Sequence, residues 1–384
     1  MIHLSAKVEQ INGVSPLEGL LKLSKNPSLV QVLARERGFI VTDKLPDSEF
    51  KAIFLPFASK LVPKVGCPVY RLPKELEYLG EDDIVALTPT DKRIRVLYRK
   101  SSNQNSILLT ERCNHYCLMC SQPPKDIDDS YLMVETKELV KLIPQDAIEI
   151  GFTGGEPTLY GDEFISLMQL CKNYLPNTAI HILSNGRAFK DIEFARKYAA
   201  IGHHDMMVGI PIYSDDPVSH NHIVQAENAF DETLRGILNL KSLGQAVEIR
   251  VVLHKLNIDR LKNLCEFITR NLLFVDQVAL MGLEIIGFTR ANLEALWIDP
   301  NEYRDQLSEA VGILSSYGIR VSVYNSQLCL VNKDVEPFYR KSISDWKNEY
   351  APECEGCTRM TECGGFFTSA IKNQYSKSLM PYRD

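Results

Sequence analysis

Short apolar runs alternate with amphipathic segments over the middle of the chain. The apolar runs are four to seven residues long, the length of strands that are buried on both faces of a sheet. The intervening segments place apolar residues three and four positions apart, as helices that cover a sheet do. We predict six strands: Ile107–Thr110, Ile148–Thr153, Ala179–Ser184, Met207–Tyr213, Val247–Leu253 and Val278–Leu283.

The helices predicted between and after these strands complete a regular alternation. Alternating strands and helices favour a parallel sheet or barrel. Six such units predict an α/β fold with a partial, TIM-like (β/α)6 barrel, rather than the closed eight-stranded form. A further strand, Ile319–Tyr324, follows the last helix. The predicted helices are 161–173, 190–199, 229–242, 258–271 and 301–316.

The first hundred residues mix short helical and extended signals. Only Asp83–Arg99 shows a clear pattern, which predicts two strands around a polar turn. We therefore divide the chain into a small N-terminal α+β region at 1–100, a core at 101–300 and a C-terminal extension at 301–384. Peptide recognition and plain packing against the barrel are both open as roles for the N-terminal region.

Composition and charge narrow the class of protein. The apolar fraction of 45% and the charged fraction of 24% are ordinary for a globular chain. A net charge of -6 provides no general attraction for nucleic acid or for an acidic membrane surface. The sequence contains neither a long apolar span nor the apolar segment of a signal peptide. We therefore expect a cytoplasmic protein that binds neither nucleic acid nor a membrane.

Seven of the ten cysteines fall into two groups. The first group, Cys113, Cys117 and Cys120, has the spacing C-x3-C-x2-C and directly follows the first predicted strand. Three close thiolates can hold one metal centre, and a cubane cluster normally takes four. One iron would then stay open to a cofactor or substrate. A structural zinc knot is the alternative, although such knots usually pair two C-x2-C units.

The second group consists of Cys329, Cys354, Cys357 and Cys363. Four thiolates can close a structural or electron-transfer centre. Spacing alone leaves an iron–sulfur cluster and a zinc site both open. The other three cysteines are isolated in the sequence, and we interpret them as ordinary thiols.

Further motifs follow the strands, and together with the first cysteine group they resemble the radical S-adenosylmethionine (SAM) superfamily. Gly154-Gly155-Glu156, after the second strand, resembles the GGE motif of that family, whose backbone receives the SAM amino group. Met119 stands where relatives usually carry an aromatic residue near the adenine. The resemblance implies a [4Fe-4S] cluster on the first cysteine group and SAM contacts at Met119, Gly154, Gly155, Glu156, Asn185, Ser214 and Arg250.

Three of these contacts also have a plain structural interpretation. Asn185 precedes a glycine and is typical of a tight turn. Ser214 could form a turn or cap a helix, and Arg250 could be a surface residue of its strand. We expect His220 and Glu248 to be structural.

The resemblance also implies a reaction. In that family an electron from the reduced cluster cleaves SAM, and the resulting 5′-deoxyadenosyl radical removes a hydrogen atom from the substrate. An external electron donor is therefore expected. The cofactor carries the radical chemistry, while the protein orients the reacting groups and excludes competing reactions.

Several longer segments are similar to the maturases of the His-Xaa-Ser system, in particular to its C component. The similarity implies a peptide substrate with His-Xaa-Ser repeats, a partner radical SAM protein and a small accessory protein. The C-x2-C-x5-C part of the second cysteine group resembles the auxiliary-cluster extensions of peptide-modifying relatives, here of the shorter "twitch" type. The segments are 109–124, Leu296–Pro300, Tyr324-Asn325, Leu328–Leu330 and Lys341–Tyr350.

Two other functions stay open at this stage. A radical SAM enzyme with this sequence could act on a small molecule or on a folded protein, as in sulfatase maturation. Alternatively, the chain could be a non-catalytic, metal-stabilised module that binds a peptide.

Overall fold

The computed structural model describes residues 3–341 and 348–383. These residues form an eight-stranded sheet in the N-terminal region, a seven-stranded sheet in the core and a two-stranded sheet near the C-terminus. Over the described ranges, no helix is both long and apolar enough to cross a membrane.

The N-terminal region is richer in strands than the sequence predicts. Its elements are β1 (Ser5–Lys7), β2 (Glu9–Gln10), β3 (Gly19–Ser24), α1 (Gln31–Ala34), β4 (Arg37–Ile40), β5 (Ala52–Leu55), β6 (Val69–Arg71), β7 (Ile84–Thr88) and β8 (Arg93–Tyr98). The strand order is β1-β8-β7-β3-β4-β5-β6-β2, in which β3 to β6 run parallel and the other pairs antiparallel. The predicted pair of strands within 83–99 is confirmed as β7 and β8.

The core sheet is parallel throughout, and its strands are neighbours in chain order. The strands are β9 (Gln104–Thr110), β10 (Glu149–Gly154), β11 (Ala179–Leu183), β12 (Met206–Pro211), β13 (Ala246–Leu253), β14 (Gln277–Gly282) and β15 (Arg320–Tyr324). This confirms the predicted partial barrel. β9 begins before the predicted residue because its first residues are polar and do not extend the apolar run.

β15 gives the core sheet one strand more than the six predicted. It pairs in parallel with β14, with Gln277 opposite Arg320 and Met281 opposite Tyr324. Its apolar run was recognised in the sequence, but its pairing partner lies some forty residues earlier, a separation that local patterns do not encode.

Nine helices of the described core lie between or after these strands. They are α2 (Ser130–Leu142), α3 (Asp162–Tyr174), α4 (Ile192–Ala200), α5 (Pro217–Val224), α6 (Ala229–Ser242), α7 (Leu261–Asn271), α8 (Phe288–Ala291), α9 (Leu293–Leu296) and α10 (Arg304–Ser316). Their apolar faces bury side chains such as Phe164 and Tyr198 against the sheet, in the same cluster as Phe152 of β10. The polar ends of the strands are thereby left to form the site.

The N-terminal sheet packs directly on the core. Ile84 and Tyr98 belong to the same buried cluster as Val140 of α2. Across this contact, Arg95 of β8 forms two hydrogen bonds with the carboxylate of Glu135, at 3.1 and 2.5 Å. The two layers therefore share both apolar and charged contacts.

The C-terminal extension ends in a small sheet and a short helix. They are β16 (Asn348–Glu349), β17 (Phe366–Phe367) and α11 (Thr368–Asn373). Of the segment 341–350, which resembles the maturase family, residues 342–347 lie outside the described residues.

Candidate functional site

The C-terminal ends of β9 and β10 lie backbone against backbone. The Gly155 N–H donates to the Thr110 carbonyl at 2.8 Å, and the Glu156 N–H donates to the Arg112 carbonyl at 2.9 Å. A Cβ atom would lie 2.3 Å from the Thr110 oxygen at Gly154, which has φ 141°, and 2.0 Å from the Arg112 oxygen at Gly155. Only glycine allows so close an approach. The glycine pair therefore fixes the start of the cysteine loop.

The side chain of Asp129 also holds the start of the cysteine loop. Its buried carboxylate accepts hydrogen bonds from the Thr110 hydroxyl at 2.7 Å, the Glu111 N–H at 2.5 Å and Arg112 Nε at 3.0 Å. Burial raises the pKa of this carboxyl, but the bonds from Glu111 and Thr110 outweigh that effect and lower it. The sequence analysis missed Asp129, because an aspartate just before a helix is usually an N-cap.

The far end of the cysteine loop is held by elements much later in the chain. The Leu118 N–H donates to the carbonyl of Ile223, at the end of α5, at 3.0 Å. The Thr289 hydroxyl donates to the Met119 carbonyl at 3.1 Å, and the Phe288 N–H donates to the Cys120 carbonyl at 2.9 Å. The loop thus has backbone contacts at both ends, which orients its three thiols.

The three thiols of this loop open onto one cavity and are free of disulfides. Burial raises the pKa of Cys113 to about 12, and the neighbouring charges of Glu156 and Cys120 act in the same direction. Burial likewise raises the pKa of Cys117. A cationic metal centre would offset this cost, because metals bind the thiolate form.

A single metal ion and a cluster place different demands on the geometry of the three thiols. Among the residues that the structure describes, no three His, Cys, Asp or Glu side chains are grouped to hold a single metal ion. A cubane cluster instead binds each cysteine through a different iron atom. The donor set of three soft thiolates around a shared cavity fits such a cluster.

The cavity has a volume of about 580 Å³ and collects most of the predicted cofactor contacts. Its wall includes residues near the C-terminal ends of β10 to β14, as the C-terminal face of a barrel should, and also the first residues of β9. Of the predicted site residues, those in the wall are Cys113, Cys117, Met119, Cys120, Gly154, Gly155, Asn185 and Arg250.

Glu156 lies outside this wall. Its buried carboxylate accepts hydrogen bonds from the N–H and hydroxyl of Thr158, at 3.0 and 2.5 Å, from the Ser184 hydroxyl at 2.8 Å and from the Asn185 N–H at 2.6 Å. Burial raises its pKa. The side chain therefore joins the ends of β10 and β11.

Asn185 is part of the cavity wall and also forms a turn. Its side-chain amide donates to Asn114, inside the cysteine loop, at 2.6 Å, and its side-chain oxygen accepts from the Arg187 N–H at 3.0 Å. The end of β11 is thereby tied to the cysteine loop.

Ser214 also lies outside the wall and is buried in a turn. Its hydroxyl oxygen accepts from the Asp216 N–H at 3.1 Å, just before α5. This is the turn-forming arrangement that the sequence analysis left open.

The preceding residue, Tyr213, takes a place in the wall that the sequence analysis did not assign. Its ring packs with Met119 in a small apolar cluster that also contains Ile223. Burial raises the pKa of Tyr213, and the nearby Cys117 and Cys120 raise it further. An aromatic ring thus stands beside the cysteine loop, although the loop itself has methionine.

Arg250 faces the lumen of the barrel rather than the outer surface. Its Nη1 donates to Glu248 at 2.7 Å, and its Nη2 lies 3.2 Å from the sulfur of Met281. A thioether is a weak acceptor, so the guanidinium can still bind an anionic group.

Glu248, which we expected to be structural, supports Arg250. Its carboxylate accepts hydrogen bonds from Arg250 and Gln277 and lies 3.4 Å from His181 Nε2. Burial by itself raises the pKa of Glu248, but His181 and Arg250 together lower it to about 2. The pair therefore stays ionised at neutral pH.

The structure brings the four cysteines of the second group together. They line one narrow apolar cavity of about 20 Å³. The Cys363 sulfur accepts from the N–H groups of Leu328 and Gly365, at 3.3 and 3.4 Å. Cys329, far from the others in sequence, reaches them through the turn that follows β15. The wall also includes Tyr350, Met360, Leu379, Pro381 and Tyr382.

The fold and the first cysteine loop define a partial parallel barrel with a three-thiolate site at its C-terminal face. Residues 107–268 match the family model described as the Radical SAM superfamily. The chain thus carries a radical SAM domain, which covers β9 to β13 and both motifs of the site.

Two relatives are similar over most of the chain. A probable GTP 3′,8-cyclase of Sulfolobus acidocaldarius is 25% identical over 279 residues, which cover 69% of this chain and 79% of the relative. A probable GTP 3′,8-cyclase of Sulfurisphaera tokodaii is 24% identical over 276 residues, with coverages of 68% and 79%.

A solved structure supports the fold, and another is similar over a smaller part of this chain. The structure of anSMEcpe with bound AdoMet has a TM-score of 0.50 and 15% identity, and the match covers 72% of this chain and 92% of that one. SuiB of Streptococcus suis, bound to S-adenosylmethionine, has a TM-score of 0.47 and 14% identity, with coverages of 59% and 50%. The chain therefore spans about half the length of SuiB.

The contact between the glycine pair and the cysteine loop generates a prediction. Gly155→Ala adds a methyl group 2.0 Å from the Arg112 carbonyl oxygen, so the loop must shift. We expect the variant to lose the iron and sulfide of one cluster after anaerobic reconstitution, measured per folded chain. Gly312→Ala in α10, where the new Cβ meets nothing within 4 Å, is the control. Wild-type iron content in Gly155→Ala would contradict the account.

Proposed function

We propose that this protein is a radical SAM enzyme whose [4Fe-4S] cluster is held by Cys113, Cys117 and Cys120. The observation that carries the proposal is the backbone contact between the cysteine loop and Gly154-Gly155, with one cavity opening between them. Three thiolates leave the fourth iron without a protein ligand, and the cavity has room beside it for SAM.

The residues of the cavity supply the contacts that SAM requires. The strand end at Gly154-Gly155 offers backbone groups to the amino group, and Arg250 offers a guanidinium to the carboxylate. Met119 and Tyr213 form an apolar wall beside the loop and exclude water. When bound, the reduced cluster supplies the electron that cleaves the S–C5′ bond of SAM. The residues of the cavity wall would enclose that chemistry and keep water away from it.

The substrate in this proposal is a peptide with His-Xaa-Ser repeats. The proposal is supported by the resemblance of the segments around both cysteine groups to the maturases of that system. The proposal includes the expected partner radical SAM protein, the small accessory protein and an external electron donor. A reducing compartment such as the cytoplasm agrees with free thiols at all ten cysteines.

The second cysteine group belongs to the proposal as an auxiliary iron–sulfur cluster. Four thiolates would give every iron of a cubane a protein ligand, and the narrow cavity between them would have to widen to admit the cluster. Such a closed centre suits electron transfer or structural support rather than substrate binding. A zinc ion is the competing occupant, although no three metal-binding side chains of the described residues are grouped to hold a single ion.

A nucleotide is the second candidate substrate, favoured by the two relatives named as probable GTP 3′,8-cyclases. One feature weighs against it. The lumen face of the sheet carries the carboxylates of Glu149 and Glu248 on either side of His181, and these would repel phosphate groups.

The proposed reaction predicts SAM cleavage that depends on the first cysteine group. Reconstituted protein with dithionite should convert SAM to 5′-deoxyadenosine, and Cys117→Ala should abolish the product because one cluster ligand is lost. Cys67→Ala removes a half-buried thiol in the N-terminal region, and its product yield should equal that of the wild type. Chromatography of the quenched reaction provides the measurement.

The metal content of the same preparations distinguishes the proposed enzyme from the non-catalytic alternative. Colourless protein that contains zinc and forms no 5′-deoxyadenosine would identify a metal-stabilised binding module. Product formation in Cys117→Ala would show that the cluster lies elsewhere.

The auxiliary cluster generates a separate prediction. A Cys113→Ala/Cys117→Ala/Cys120→Ala triple variant should keep about four iron atoms per chain, the content of one cubane, because the second group is untouched. Iron, zinc and sulfide are measured together under anaerobic conditions. A triple variant that holds zinc but no iron would show that the second group is a zinc site.

A further inference from the structure

The three residues between the first two cysteines of the loop differ in their exposure. Asn114 is tied to the end of β11, because its side-chain oxygen accepts the amide of Asn185 at 2.6 Å. Tyr116 is 52% exposed. His115, between them, is only 3% exposed and lines the cavity that receives the thiols. A polar ring at so buried a position costs free energy unless it forms a hydrogen bond.

The imidazole of His115 has one ring nitrogen without a protein partner. Its Nε2 is buried, and no atom of the described residues forms a hydrogen bond with it. Buried polar groups in folded proteins nearly always form hydrogen bonds, so this nitrogen calls for a bound group or an ordered water. The same cavity wall contains Cys113 and Cys117, which hold the cluster in the proposed function.

The backbone of His115 already serves the cysteine loop. Its N–H lies 3.4 Å from Cys113 Sγ, within reach of an N–H···S hydrogen bond. In the second cysteine group, the N–H groups of Leu328 and Gly365 approach Cys363 Sγ in the same way, at 3.3 and 3.4 Å. Both groups therefore direct N–H donors at the sulfur of a cysteine. The side chain of His115 can add one more donor to the first group.

Two other buried histidines show what distinguishes His115. Nε2 of His220 and of His254 is likewise buried and has no partner among the described residues. Neither residue belongs to the cavity wall. The Nδ1 atoms of these two rings accept backbone N–H groups, from Tyr213 and Leu256 respectively. Of the three histidines, His115 alone combines an unpaired nitrogen with a place in the cavity wall between two cluster ligands.

We propose that His115 Nε2 donates a hydrogen bond to a sulfur atom of the [4Fe-4S] cluster, a sulfide or a ligating thiolate, and thereby raises the reduction potential of the cluster. Reduction adds a negative charge to the cluster, so a donor at its sulfur atoms stabilises the reduced form more than the oxidised form. This inference rests on the proposed function for the presence of the cluster. It adds a residue that sets how readily the cluster accepts an electron.

The test is a redox titration of the reconstituted full-length protein without SAM, followed by electron paramagnetic resonance. The signal of the first cluster is the one that the triple variant of Cys113, Cys117 and Cys120 lacks. His115→Phe keeps an aromatic ring and loses the N–H, so its equilibrium constant for reduction should fall about tenfold, the effect of one hydrogen bond to a charged group. For a one-electron couple this is a shift of about 59 mV to a more negative potential.

Two further variants separate the hydrogen bond from packing. His115→Gln offers an amide N–H in place of the ring N–H and should recover most of the wild-type potential, which a role in packing alone does not predict. His254→Phe is the matched control, because it makes the same change at a buried histidine outside the cavity wall. Its potential should equal that of the wild type. Iron and sulfide per folded chain are measured for each variant.

Labelling the histidines with ¹⁵N gives a second measurement. The reduced cluster of the wild type should show a weak hyperfine coupling to a histidine nitrogen, and His115→Gln should lose it. This keeps the inference testable if His115→Phe does not assemble the cluster. Three outcomes would overturn the inference: a wild-type potential in His115→Phe, an equal shift in His254→Phe, and a coupling as strong as that of an imidazole bound directly to iron.

The proposed function is tested separately by the formation of 5′-deoxyadenosine. Wild-type protein that holds the cluster but forms no product would refute SAM cleavage, while the potentials would still decide the role of His115. Wild-type protein without an iron–sulfur signal that depends on the first cysteine group would overturn both.

Discussion

Two backbone hydrogen bonds join the start of the cysteine loop to the end of the next strand, and the arrangement of the site follows from them. Gly155 and Glu156 donate to the carbonyls of Thr110 and Arg112 across a gap that admits no Cβ atom. This contact fixes the loop that carries Cys113. Buried Asp129 supports it by accepting three further bonds from the same stretch of chain. A loop held in this way can keep its three thiols oriented although the site has no fourth cysteine.

The lumen of the barrel contributes charged groups next to the cysteine loop. It holds an ion pair, Arg250 with Glu248, where a closed barrel would hold packed apolar side chains. The pair leaves Arg250 with donors for an anionic group near the thiols. On the other side of the same network, His181 leads to the partly exposed Glu149. The cavity thus offers the guanidinium of Arg250 to an anionic group.

Much of this site could be predicted from the sequence because its signals are local. Strand periodicity, a cysteine cluster after one strand and a glycine pair after the next are all visible within a few residues. The structure departs from the prediction where a position depends on residues that are distant in sequence, or where a residue type has more than one common role. Asp129 looks like an ordinary helix cap. Tyr213 and Ser214 follow the end of β12, where strand alternation no longer tells which side chain faces the cavity. The N-terminal sheet was hidden because most of its strands are too short to show a period.

The central claim is that SAM binds the iron left open by Cys113, Cys117 and Cys120. Electron–nuclear double resonance of the reduced protein, with SAM labelled with ¹⁵N at its amino nitrogen, tests this most directly. The account predicts a ¹⁵N hyperfine coupling to the cluster that is absent with unlabelled SAM and lost in a variant without these cysteines. A cluster signal that is unchanged by labelled SAM would contradict it.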